Sequence, residues 1–140
     1  MLNEIILENC ITKIGRTVFR NCDHLEHITL SSHEKFKEIT PYMFQNVGFK
    51  YFEVPENIEI IYEGAFCDCH RLENVIVPPN VTKIIGESGT KRAAFSGCSN
   101  LKEMTLPFVG GTYYKADDDI QYPFGYIFGE QSYNGGTYTR

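Results

Sequence analysis

The sequence predicts an α/β solenoid: a coil of about five short rungs carrying a parallel β-sheet, followed by a mostly irregular C-terminal segment. Three observations carry that prediction. Apolar residues recur at fixed offsets with a step close to 23 residues. Each unit is too short to bury its own apolar face, so neighbours must stack to close a common core. Within each unit the apolar spacing changes from period two, which suits a strand, to steps of three, which suit a turn.

The units begin at Leu2, Leu25, Phe49, Leu72 and Leu101, with steps of 23, 24, 23 and 29 residues. From each start the next apolar positions fall at +3 and +5: Ile5 and Leu7, Ile28 and Leu30, Phe52 and Val54, Val75 and Val77, Met104 and Leu106. Such alternation gives a short strand whose outer neighbours face solvent. A second apolar pair follows at Ile11 and Ile14, Phe36 and Ile39, Ile58 and Ile61, Val81 and Ile84, read as a second short strand or extended turn. Then come Val18-Phe19, Met43-Phe44, Ala65-Phe66 and Ala94-Phe95, with Cys22, Val47, Cys69 and Cys98 three residues beyond, read as one helical or 3₁₀ turn. The next unit starts six residues after each Phe, except after Phe44, where it starts after five. The long final step places an insertion loop around Gly86-Glu87-Ser88-Gly89-Thr90-Lys91, because the register resumes unchanged after it.

Ile14-Gly15-Arg16-Thr17-Val18-Phe19-Arg20-Asn21-Cys22, Glu63-Gly64-Ala65-Phe66-Cys67-Asp68-Cys69 and Ala94-Phe95-Ser96-Gly97-Cys98-Ser99-Asn100-Leu101 together resemble the BspA-like leucine-rich repeats of bacterial surface proteins. The resemblance covers about residues 2 to 111 and implies a right-handed coil, a binding role and a cell-surface or secreted location. Ser31 in place of Pro, Met43 of Ala and Val47 of Cys are departures in the second repeat. Leu106–Gly111 and Pro123–Gly129 resemble an insert found within such arrays. The expected organisation is a solenoid over residues 1–111 and an aromatic, Gly-rich segment over 112–140, serving as a cap or as an insert between repeats.

Composition narrows the function by exclusion. A chain of 140 residues with 42% hydrophobic and 22% charged residues suits one globular domain. The net charge of −5 argues against an electrostatic nucleic-acid binder. No apolar stretch is long enough for a transmembrane helix, and the N-terminus lacks the basic region of a signal peptide. No nucleophile elbow, carboxylate pair or catalytic triad order stands out, so no catalytic residue, cofactor or metal is expected.

The clusters that invite chemistry each have a plainer reading. Cys22, Cys69 and Cys98 share one repeat position that Val47 also fills, so packing explains them and free thiols are expected. Cys67-Asp68-Cys69 has no second cysteine pair at zinc spacing. His24, His27 and His33 fall on a turn, a strand's outer face and a loop, and read as solvated. The Gly86–Lys91 loop lacks phosphate-loop spacing, and Asp117-Asp118-Asp119 lacks EF-hand spacing. Six tyrosines (Tyr113, Tyr114, Tyr122, Tyr126, Tyr133 and Tyr138) crowd the C-terminal segment, as a cap over the last rung or as an aromatic binding surface.

Stacking should align the outward strand residues into two surface columns. One runs Glu4, His27, Tyr51, Asn74, Glu103 and the other Ile6, Thr29, Glu53, Ile76, Thr105. Extended faces of this kind are the usual binding surfaces of solenoids. The candidate site is therefore His27, Thr29, Tyr51, Glu53, Asn74, Ile76, Glu103 and Thr105, with Tyr51 foremost for its apolar body and polar tip. The expected function is a non-enzymatic protein- or glycan-binding module. The alternative is a structural spacer in a longer repeat array.

Overall fold

The computed structural model describes residues 3–85, 93–107 and 125–128. Among these residues eight strands form, each two or three residues long, and all their pairings are parallel. The L-x-x-I-x-L tracts form β1 (Glu4–Ile6), β2 (His27–Thr29), β4 (Tyr51–Glu53), β6 (Asn74–Ile76) and β8 (Glu103–Thr105). The second apolar pairs form β3 (Glu38–Ile39), β5 (Ile60–Ile61) and β7 (Lys83–Ile84). Inward residues meet in register: Ile5 opposite Ile28, Phe52 opposite Val75 and Met104, and Ile39, Ile61 and Ile84 in one file. The predicted parallel solenoid is thus present, with five first-sheet strands spanning about four turns of the coil and with β3, β5 and β7 as a second parallel sheet.

A column of phenylalanines fills the interior. Phe19 stacks on Phe44 at 5.7 Å, Phe44 lies 5.3 Å from Phe66, and Phe66 stacks on Phe95 at 5.0 Å. Phe52 reaches in from β4 to touch both Phe44 and Phe66. Offset and tilted ring contacts of this kind add to the simple burial of apolar area.

The turns around each Phe stack by a one-way hydrogen-bond ladder. Thr17, Phe19 and Asn21 donate their N–H groups to the carbonyls of Pro41, Met43 and Gln45 in the next rung. Tyr42, Phe44 and Asn46 donate to Glu63, Ala65 and Cys67; Phe66 and Asp68 donate to Ala94 and Ser96. Alternate N–H groups point along the axis because the residues two before and two after Phe adopt positive φ: Thr17, Tyr42 and Gly64 before, Asn21, Asn46, Asp68 and Gly97 after. Asn, Asp and Gly tolerate that conformation, whereas Thr17 and Tyr42 hold it at a cost the ladder offsets.

Residues 125–128 continue this ladder. The single turn α1 (Gly125–Phe128) places Ile127 fully buried, and its carbonyl accepts the Phe95 N–H. Ile127 therefore stands where Ala94, Ala65 and Met43 stand in the earlier rungs. The Ser96 hydroxyl donates to the Phe128 carbonyl at 2.8 Å. The insertion loop at 86–91, Asp117–Asp119 and the tyrosine-rich stretch, apart from the backbone of Tyr126, lie outside the described residues.

Four expectations need correction. The Phe turns are not helical or 3₁₀ among the described residues, because the residue two after each Phe takes positive φ, whereas Ile11–Ile14 forms no strand and accords with the extended-turn reading. Cys22 is half-buried, because the first rung is covered by a described neighbour on one side only, whereas Cys69 and Cys98 are buried. Leu101, in the last strand rung, and Ile28 are half-buried and not core. Finally, the first sheet is not continuous: it divides into β1–β2 and β4–β6–β8. The corner between Phe44 and Phe49 is one residue short, and Gly48 is pressed onto the corner of the rung before it. A β-carbon there would collide with the Asp23 carbonyl, so the close approach requires glycine.

Candidate binding groove

The division between β2 and β4 opens a groove of about 620 Å³, lined by Glu26, His27, Gly48, Lys50, Tyr51, Arg71, Glu73, Asn74 and Asn100. Where rungs pair normally, a single carbonyl receives two N–H groups from the next strand. Asn3 receives those of Glu26 and His27, Lys50 those of Glu73 and Asn74, and Glu73 those of Lys102 and Glu103. Glu26 and Lys50 make no such bond to each other. The turn side stays bonded across the same step, through Phe19 to Met43 and Phe44 to Ala65, so the rungs splay only on the sheet side.

The groove gathers three of the candidate residues. His27 and Tyr51 are exposed and Asn74 is half-buried, all three on its walls. Thr29, Glu53, Ile76, Glu103 and Thr105 sit on the same outer surface but outside the groove, with Ile76 half-buried and the others exposed. Register places Tyr51, Asn74 and Glu103 side by side, and Glu53, Ile76 and Thr105 likewise. The first column joins Glu4 to His27, and the pairing stops there.

Tyr51 is 49% exposed, and its hydroxyl donates to Glu53 Oε2 at 3.0 Å. That bond, with partial desolvation and the Glu53 charge, raises the phenol above its ordinary value. The ring is held across the surface by its own strand and not by a core partner. Glu73 pairs with Lys102 at 3.1 Å, and this bond, aided by the Lys50 charge, holds its carboxyl below the usual range. Asn100 donates from its side-chain amide to the His70 carbonyl, fixing the groove's far rim.

The repeat pattern missed Glu26, Gly48, Lys50, Arg71, Glu73 and Asn100 because they occupy the corners before the strands and not the strands themselves. A signal was present. After Asn3 in the first unit, the residue following each unit start reads Glu26, Lys50, Glu73, Lys102, a file of alternating charge down successive rungs. Among the described residues, no group of three or more His, Cys, Asp or Glu side chains converges at metal-binding distance. Cys69 and Cys98 donate their thiols to the carbonyls of Phe44 and Phe66, each one rung back. Burial pushes the Cys69 thiol up to about 12 and the Cys98 thiol well above its ordinary value.

Parallel rungs of strand, strand and Phe turn define a leucine-rich-repeat solenoid. Residues 1–108 match the BspA type leucine-rich repeat region in six copies, and the chain belongs to that family. The fold is similar to a leucine-rich cell surface protein from Faecalibacterium prausnitzii, with 28% identity, a TM-score of 0.64, and 74% of this chain matched to 26% of that one. A leucine-rich repeat protein from Bacteroides ovatus shows 27% identity and a TM-score of 0.50, over 76% of this chain and 32% of that one. The T. pallidum leucine-rich repeat protein, at 22% identity and a TM-score of 0.58, shares the fold over 74% of this chain and 56% of that one. The chain thus spans about a quarter to just over half the length of these relatives. No curated protein matches it. Among the described residues no helix is long and apolar enough to cross a membrane.

Proposed function

We infer that the chain is a non-enzymatic recognition module of a bacterial cell-surface or secreted repeat protein. It binds a protein or glycan across the outer face of its first sheet, with the groove at the β2–β4 division as the centre. The observation that supports this reading is the groove itself. It is concave, it carries two acids, two bases, two amides, an imidazole and an exposed phenol ring, and it lies on the face that solenoids use for extended contacts. A tyrosine body beside multiple hydrogen-bonding groups suits the apolar face and hydroxyls of a sugar as well as a polar peptide. The Faecalibacterium relative, described as a cell surface protein, supports the location.

The test is a screen against glycans and immobilised host extracellular proteins, followed by Tyr51→Ala and Arg71→Ala in the intact chain. Each should weaken binding by about tenfold or more, the loss expected of an anchor residue. Folded variants that bind as tightly as the parent would place the site elsewhere. A chain that binds nothing in the screen would favour the spacer reading.

A further inference from the structure

The two strands that border the groove turn bonding edges towards each other without meeting. In β2 the His27 N–H donates to the Asn3 carbonyl, and the Thr29 carbonyl accepts the Leu7 N–H. The pleat therefore aims the intervening groups at β4: the Ile28 N–H and C=O, the Glu26 C=O and the Leu30 N–H. In β4 the Lys50 carbonyl accepts the Asn74 N–H, and the Val54 N–H donates to the Ile76 carbonyl. That leaves the N–H and C=O of Tyr51 and Glu53 aimed back at β2. Among the described residues no protein partner reaches these groups, and β2 and β4 belong to different sheets. Most Cα atoms of one strand lie more than 8 Å from those of the other. Paired strands sit about 4.8 Å apart, so the separation is nearer to two ladder spacings than to one. The inward side of the division is also unfilled. Ile28 is half-buried although its rung has a neighbour on both sides, while its counterparts Phe52 and Val75 are buried.

We propose that an extended segment of a partner protein inserts between β2 and β4 and joins the two parts of the first sheet into one. The proposal rests on the groove being the binding site, and it names the partner's chemistry as a peptide backbone and not a sugar. Two bare edges facing each other are a template for strand pairing. A sugar ring carries hydroxyls, but it has no N–H and C=O groups alternating at the step of about 3.3 Å that a strand presents. Only an extended peptide offers both edges their complement at once. Its central side chain is apolar and points inward, in file with Ile28 and Phe52. Its flanking side chains point outward, in file with His27 and Tyr51 and with Thr29 and Glu53.

The test selects peptides of about six residues, a usual strand length, from a displayed random library against the intact chain. Hydrogen exchange is then read on the free and the peptide-saturated protein. In the free chain the amides of Ile28, Leu30, Tyr51 and Glu53 should exchange close to free-peptide rates, and the peptide should slow all of them by about tenfold or more. The amides of His27 and Val54, already bonded within their own sheets, should be slow in both states. Methylating either of two adjacent central nitrogens of the peptide should weaken binding by about tenfold or more, because one N–H faces β2 and the next faces β4. Peptides that slow none of these amides, or those of one edge only, overturn the proposal. So does a library that yields no peptide with a Kd below about 1 mM. A glycan that binds in place of peptides, and is lost with Tyr51→Ala, ends strand insertion but keeps the groove as the site. Peptides that leave these amides fast and bind Tyr51→Ala as tightly as the parent remove the groove itself. A parent chain that sediments as a dimer, with these amides slow before any peptide is added, assigns the gap to a second copy and also overturns the proposal.

Discussion

The rings of Phe66 and Phe95 lie 3° from parallel with their centroids 5.0 Å apart, each the central side chain of its own rung. Phe66 also meets Phe44 at 5.3 Å and Phe52 at 4.9 Å, so one ring joins three rungs and two kinds of element. Phe66→Ala removes all three contacts from a fully buried site. Urea denaturation should show a loss of about 3–5 kcal/mol, the cost of emptying a close-packed aromatic position. A loss below about 1 kcal/mol would mean that the column does not hold the rungs together.

Cys69 bonds the Phe44 carbonyl at 3.1 Å, which the sharing of its slot with Val47 did not suggest. Cys69→Val should therefore destabilise by about 1 kcal/mol, because a buried acceptor loses its donor. Equal midpoints for parent and variant in chemical denaturation would show the thiol to be simple filler.

The thiols also set a pH dependence. Cys69 ionises near 12 in the folded chain, against an ordinary value of 9.0, so folding favours its neutral form. Its contribution is fully present below pH 9 and declines as pH rises from 9 towards 12. Cys98 acts in the same direction. A thiol reagent at neutral pH should label exposed Cys10 first and half-buried Cys22 more slowly, leaving Cys67, Cys69 and Cys98 intact until unfolding. Labelling of all five at one rate in the folded protein would contradict the burial.

Gly48→Ala should cost about 1–3 kcal/mol, the range for forcing atoms into a packed contact, because the new methyl meets the Asp23 carbonyl. Amide chemical shifts of Asp23 to His27 and Lys50 should move most, since the corner between these two rungs must widen. Unchanged shifts there would separate the groove from the corner.

The stretch from Leu30 to Phe36 is two residues longer than its counterpart from Val54 to Ile58, and Asn57 in the following rung holds it by donating to the carbonyls of Ser31 at 2.9 Å and Phe36 at 2.7 Å, while Asn9 in the preceding rung accepts the Ser32 N–H. Asn57→Ala should lower stability by about 1–3 kcal/mol, the cost of leaving partly buried acceptors unpaired. Proteolysis between residues 31 and 36 is the sensitive readout, and it should accelerate.

Period and polarity made the rungs legible: Ile28, Phe52, Val75 and Met104 follow from spacing alone, as do the turns at Phe44, Phe66 and Phe95. Three things were less visible. The step of five from Phe44 to Phe49 marks the irregular corner, but only the contact of Gly48 with Asp23 shows that it accompanies a split in the sheet. Ile127 carries no repeat start around it, and its place is set by a single bond from Phe95. Three groove residues lie in the file Glu26, Lys50, Glu73, Lys102, whose alternating charge has no apolar period to announce it. Surface chemistry leaves no such trace, because the core constrains only the inward side chains.

The split between β2 and β4 also has a mechanical meaning. Axial tension on a repeat coil is shared by its parallel ladders, and at this step the first-sheet ladder contributes nothing while the turn ladder and the β3–β5 ladder carry the load. Stretched end to end in an optical trap, the chain is expected to yield first at this seam, hinging about the Phe19–Phe44 stack and widening the groove before any rung unravels. A ligand seated across it would raise the yield force, so the groove would report pulling on the protein as a change in affinity.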